Sequence, residues 1–160
     1  MNKNARKIEI TIIFCVLILL GLSLSGCGLF PNEISVLKAN WDINMPQPLK
    51  IINVASNRGG MSDGTAYHIF EYSDGAVNEL KKLNYWGSAG TIITGNIALS
   101  LAELKKSEVV PNESKELLEK YPPEVNDSCL YYYKAKGEFE YLIMMLDVSK
   151  KRVYVFESYI

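Results

Sequence analysis

The run Tyr141-Leu-Ile-Met-Met-Leu146 is apolar at every position. A run of this length between turn residues is typical of a strand that is buried on both faces. Strand-like segments lie on either side of it, so that the order is 130–136, 139–148 and 152–158. Gly137-Glu138 and Ser149-Lys150-Lys151 supply the connections. We therefore predict a closing three-stranded antiparallel meander in which the apolar run lies in the central strand.

A second pair of strands is predicted earlier in the chain. Segments 49–56 and 65–72 are rich in β-branched and aromatic residues, and the loop Asn57-Arg-Gly-Gly-Met-Ser-Asp-Gly64 separates them. Strands joined by a glycine-rich loop indicate a hairpin. In the second strand, side-chain alternation places His68 on one face and Glu71 on the other.

The rest of the chain predicts helices. Apolar spacing and capping residues indicate helices over 32–41, 74–84, 96–106 and 112–120, with Trp86 packed at the end of the second. The resulting order, α-β-β-α-α-α-β-β-β, predicts an α+β fold. Its antiparallel sheet combines the N-terminal hairpin with the C-terminal three-strand meander, and the helices pack on one side. We predict that 32–160 form a single domain.

The N-terminus has the layout of an export signal. Residues 1–7 carry three positive charges and no negative one, and a mostly apolar run follows from Ile10 to Leu22. This run has about 13 residues, whereas a membrane-spanning helix needs about 20. A signal peptide is therefore the preferred interpretation, and an uncleaved short membrane helix is the alternative. Both place the domain outside the cytoplasm.

The signal ends in Leu24-Ser25-Gly26-Cys27, which resembles the bacterial lipobox. The resemblance implies cleavage between Gly26 and Cys27 and attachment of a diacylglyceryl group to the Cys27 thiol, often with a third acyl chain. Two or three acyl chains hold a protein durably at a membrane. We therefore expect a signal peptide over 1–26, a lipidated tether over 27–31, and a location on the outer face of the bacterial cytoplasmic membrane.

Charge and cysteine content exclude some classes of protein. The chain has 17 Lys+Arg and 18 Asp+Glu, of which residues 1–26 hold three basic residues and one acidic residue. The remainder therefore carries 14 basic and 17 acidic residues, which gives a net charge of −3. No basic cluster suited to a phosphate backbone occurs, so we expect no nucleic-acid partner. Without the signal peptide and the lipidated Cys27, Cys129 is alone, and we predict that it is a buried structural residue.

Three segments together resemble small lipoproteins of Gram-positive bacteria: the 57–64 loop with the strand that follows it, the helix that starts at Asp74, and the closing meander. Members of that group typically carry a histidine in the loop, where this chain has Met61-Ser62. The resemblance implies the fold and the location, and it brings no activity with it.

The 57–64 loop is the most distinctive part of the exported chain. Glycines allow close backbone approach, and an Arg and an Asp beside them are suited to grip a polar ligand or a partner. A purely structural turn is the alternative, because Asp-Gly and Gly-Gly pairs are common turn solutions. The candidate binding residues are Arg58, Gly59, Gly60, Asp63 and Gly64, with His68 four residues beyond the loop.

Catalytic and metal-binding patterns are not evident. A single histidine, His68, with Asp63 and Glu71 as possible partners is a poor metal signature, because selective sites use several convergent ligands at fixed spacing. No Gly-x-Ser-x-Gly, His-Glu-x-x-His or phosphate-loop motif occurs. We therefore predict no metal, no cofactor and no catalytic residue.

The sequence favours a non-catalytic, lipid-anchored domain that binds an envelope protein or a peptide. A small envelope hydrolase whose carboxylates converge only in the fold is the first alternative, since residues distant in sequence can form such a site. A lipoprotein that protects the producing cell, in the manner of immunity proteins, is the second.

Overall fold

The computed structural model describes residues 33–59, 63–137 and 139–159. The predicted signal peptide, Cys27 and Gly60 lie outside these ranges. The chain divides into two compact units, Met1–Ile43 and Asn44–Ile160. Within the described ranges, no helix has both the length and the apolar character needed to cross a bilayer. The prediction of one domain from residue 32 onward stays a prediction.

The described residues form four helices and five strands. The helices are α1 (Glu33–Trp41), α2 (Asp74–Lys81), α3 (Thr91–Lys106) and α4 (Asn112–Lys120). The strands are β1 (Lys50–Ser56), β2 (Gly64–Glu71), β3 (Leu130–Ala135), β4 (Tyr141–Asp147) and β5 (Arg152–Tyr159).

Helix α1 belongs to the first unit. Glu33 places a negative charge in its first turn and Lys38 a positive charge in its last, which suits the helix dipole. Asp42 ends the helix because its φ of 57° is left-handed, and its N–H donates to the Lys38 carbonyl at 2.9 Å.

The second unit is built on a sheet with the strand order β1-β2-β5-β4-β3, and every neighbouring pair is antiparallel. The hairpin and the meander meet through β2 and β5, whose register runs from Gly64 opposite Tyr159 to Glu71 opposite Arg152. The predicted fold class is confirmed: this is an α+β protein, and in the second unit helices α3 and α4 pack on the antiparallel sheet.

The apolar run in β4 occupies the predicted place. Strand β4 lies between β3 and β5, and residues 142–147 are buried on both faces of the sheet. Strand β5 is just as buried over Val153–Ser158 because the hairpin pairs with its other edge. The centre of the whole sheet is therefore β5, one strand beyond the centre of the meander.

The hydrophobic core lies between the sheet and helices α3 and α4. Alternate side chains of the central strands point into it, and Tyr67 stacks on its cross-strand neighbour Phe156 with ring centroids 4.3 Å apart. We call the surface of the sheet that contacts this core the α3/α4 face, and the other surface of the sheet the opposite face. The core residues that define it include Tyr67, Ile69, Ile143, Met145, Tyr154 and Phe156 from strands, with Ile97, Leu104 and Leu118 from helices.

Two helix boundaries differ from the prediction. Helix α3 begins at Thr91 and not at residue 96, because Gly95 is accommodated inside the helix. A glycine inside a helix costs about 1 kcal/mol, which packing of the α3 core residues outweighs. Helix α2 ends at Lys81 and not at residue 84. At this end of the helix, the indole N–H of Trp86 donates to the Leu80 carbonyl at 2.7 Å. The predicted position of Trp86 is confirmed.

Candidate functional site at the first hairpin

The base of the 57–64 loop is closed by hydrogen bonds across the hairpin. The Asn57 N–H donates to the Thr65 carbonyl at 3.0 Å, and the Thr65 N–H donates to Asn57 Oδ1 at 2.6 Å. Gly64 has a φ of 124°, and a Cβ there would lie 2.7 Å from Asn57 Oδ1. Position 64 therefore requires glycine for conformation and for space.

A carboxylate from α3 holds this base on the α3/α4 face. Glu103 Oε1 accepts from Asn57 Nδ2 at 2.8 Å, and Glu103 Oε2 accepts from Thr65 Oγ1 at 2.9 Å. Bonds to a charged acceptor are stronger than bonds between neutral groups. The start of β2 and the end of β1 are thus tied to one helix.

A second carboxylate holds the loop on the opposite face. Arg58 Nη2 lies 3.1 Å from Glu157 Oε2, and the two side chains are 22% and 5% exposed. The Tyr159 hydroxyl donates to Glu157 Oε1 at 3.0 Å, and Arg58 Cζ lies 4.5 Å from the Tyr159 ring centroid. This combines an ion pair with a cation–π contact. Arg58 is therefore largely engaged with β5.

The structure describes residues 57–59, 63 and 64 of the loop, and these differ in exposure. Gly59 and Asp63 are exposed, and the Gly59 N–H donates to the Asp63 carbonyl at 3.1 Å. Of the predicted binding residues, Arg58, Gly59, Asp63 and Gly64 are brought together at one end of the sheet. Arg58 and Gly64 maintain the shape of the loop base, while Asp63 is exposed to solvent.

His68 is not part of this group. It lies within β2 on the opposite face, half-buried, with Nδ1 2.9 Å from Asn53 Oδ1. Glu71 points to the α3/α4 face, where Arg152 donates to it at 2.7 Å. The combination of His68 and Glu71 considered from the sequence does not form. Across the described ranges, no three His, Cys, Asp or Glu residues are grouped as metal ligands would be.

A polar cluster at the opposite end of the sheet supports the β4–β5 turn. Asp147 is 5% exposed, and burial alone would raise the pKa of its carboxyl. The carboxylate accepts hydrogen bonds from Ser149 Oγ at 2.6 Å and from the Lys150 N–H at 3.0 Å, and the Lys150 side chain adds a positive charge nearby. Together these interactions outweigh the effect of burial, so the pKa of Asp147 is lowered. Lys150 also pairs with Glu124 at 2.7 Å. These contacts account for the cluster as a turn-stabilising group.

Two groups that could act as nucleophiles or proton donors, the Cys129 thiol and the Tyr67 hydroxyl, belong to buried residues. Burial raises the pKa of Cys129, and the residue is a buried free thiol, as predicted. Burial also raises the pKa of Tyr67, whose hydroxyl donates to the Tyr121 carbonyl at 2.7 Å. A raised thiol pKa disfavours the thiolate, which is the nucleophilic form.

Sequence reasoning did not find Glu103 and Glu157, the two carboxylates that fix the loop. They lie 38 residues from Thr65 and 99 residues from Arg58. The one available signal was local, since Glu157 and Arg152 are the charged residues in a mostly apolar and aromatic closing strand. Comparisons with protein-family models, with curated proteins and with solved structures find no significant match to this chain.

Proposed function

We propose that this chain is a lipoprotein domain, anchored through Cys27 at the outer face of the bacterial cytoplasmic membrane, which binds an envelope protein or peptide without catalysis. The anchor is supported by the order of a basic N-terminus, an apolar run and the Leu24-Ser25-Gly26-Cys27 pattern. The proposed binding element is the 57–64 loop.

The observation that supports the loop as the binding element is its fixation from both faces of the sheet. Glu103 bonds to its base on one face and Glu157 pairs with Arg58 on the other, while Asp63 remains exposed. Side chains at a base that is fixed in this way lose little conformational entropy when they bind, which favours affinity.

The chemistry of the exposed part indicates how a partner would be bound. A carboxylate such as that of Asp63 is able to accept hydrogen bonds and to pair with a Lys or Arg side chain of a partner, and Gly59 beside it leaves room for a close backbone approach. Arg58 then acts as a positioning residue, since its guanidinium is engaged with Glu157. The partner surface is expected to present a basic side chain.

The anchor is tested by metabolic labelling with an alkyne analogue of palmitate. The wild-type chain should incorporate the label and sediment with membranes, whereas Cys27→Ala should lose the label and retain the uncleaved signal peptide. Equal labelling of the two chains would refute anchoring at this residue.

The binding role is tested by in-cell crosslinking and mass spectrometry on the full-length chain. The variant Asp63→Ala removes the exposed carboxylate without disturbing the Arg58–Glu157 pair. The matched control is Asp127→Ala, because Asp127 is also an exposed aspartate but lies before β3. A partner crosslinked by wild type and control but lost in Asp63→Ala is expected. Identical patterns in all three chains would contradict binding through Asp63.

A further inference from the structure

We draw no further inference here: the strongest candidate, the exposed apolar strip that Ile92 and Leu99 form on helix α3, carries none, because acidic and basic side chains are balanced beside it and nothing in the described part of the chain shows what covers it.

Discussion

Replacing Gly64 by alanine provides a strong test of how the loop is held. The backbone at this position has a φ of 124°, which side chains other than glycine rarely adopt. An added Cβ would lie 2.7 Å from Asn57 Oδ1 and 3.1 Å from the backbone of Arg58. The Asn57 side chain would have to move away, which breaks its bond to the Thr65 N–H.

The cost follows from these two effects. A non-glycine residue in a strained backbone region costs on the order of 1–3 kcal/mol, and the lost hydrogen bond adds about 1 kcal/mol. Gly64→Ala should therefore lower the free energy of unfolding by about 2–4 kcal/mol, a large part of the stability of a typical domain.

The assay is urea unfolding followed by tryptophan fluorescence. With a slope of about 2 kcal/mol/M, the midpoint should fall by about 1–2 M. Gly59→Ala is the matched control, because a Cβ at position 59 meets no atom within 4 Å, and it should change stability by less than about 0.5 kcal/mol. If Gly64→Ala were as mild as Gly59→Ala, the constrained geometry of the loop base would be wrong.

Three further predictions concern the carboxylates. Glu103→Ala removes two hydrogen bonds to the loop base and should cost about 1–3 kcal/mol in thermal or urea unfolding, whereas Glu108→Ala, at an exposed position just after α3, should be neutral. Arg58→Ala leaves the buried Glu157 without its cation and should lower the free energy of unfolding by about 1–3 kcal/mol. Adding Glu157→Gln should recover part of this loss, because it removes the unpaired charge. If the effects of the two substitutions were purely additive, the pairing would be contradicted. The lowered pKa of Asp147 implies stabilisation that is present above its unfolded pKa of about 3.8 and is lost as the pH falls through the folded pKa. The free energy of unfolding of wild type should therefore exceed that of Asp147→Asn by about 1 kcal/mol at pH 6, and this difference should disappear below pH 4. A difference that does not depend on pH would show that the charge of Asp147 is not involved.

The fold could be predicted from the sequence because its elements follow local patterns. The apolar run of β4 and the Gly-rich hairpin loop each have a periodicity or turn chemistry that is visible within a short window. The start of α3 was missed because Gly95 usually indicates a boundary, and here long-range packing overrides that preference.

The site was only partly predictable for the opposite reason. The loop residues were identified by their composition, but their division into supporting and exposed side chains depends on partners far away in the chain. The sequence predicted that Arg58 binds a ligand, whereas in the fold its guanidinium contacts Glu157 and Tyr159 of β5. Long-range side-chain pairing of this kind leaves no local pattern to read.

The central claim is that the exposed part of the 57–64 loop contacts a partner in the cell envelope, and site-specific photo-crosslinking tests it most directly. A benzophenone amino acid is placed at position 59 of the full-length protein, where the space around a side chain is open, or at Gly137 in the β3–β4 connection, where it is equally open. Irradiation of intact cells should give a discrete adduct from position 59 that is absent from position 137 and is abolished by Asp63→Ala. Adducts that are the same at both positions, or that survive Asp63→Ala unchanged, would contradict the claim.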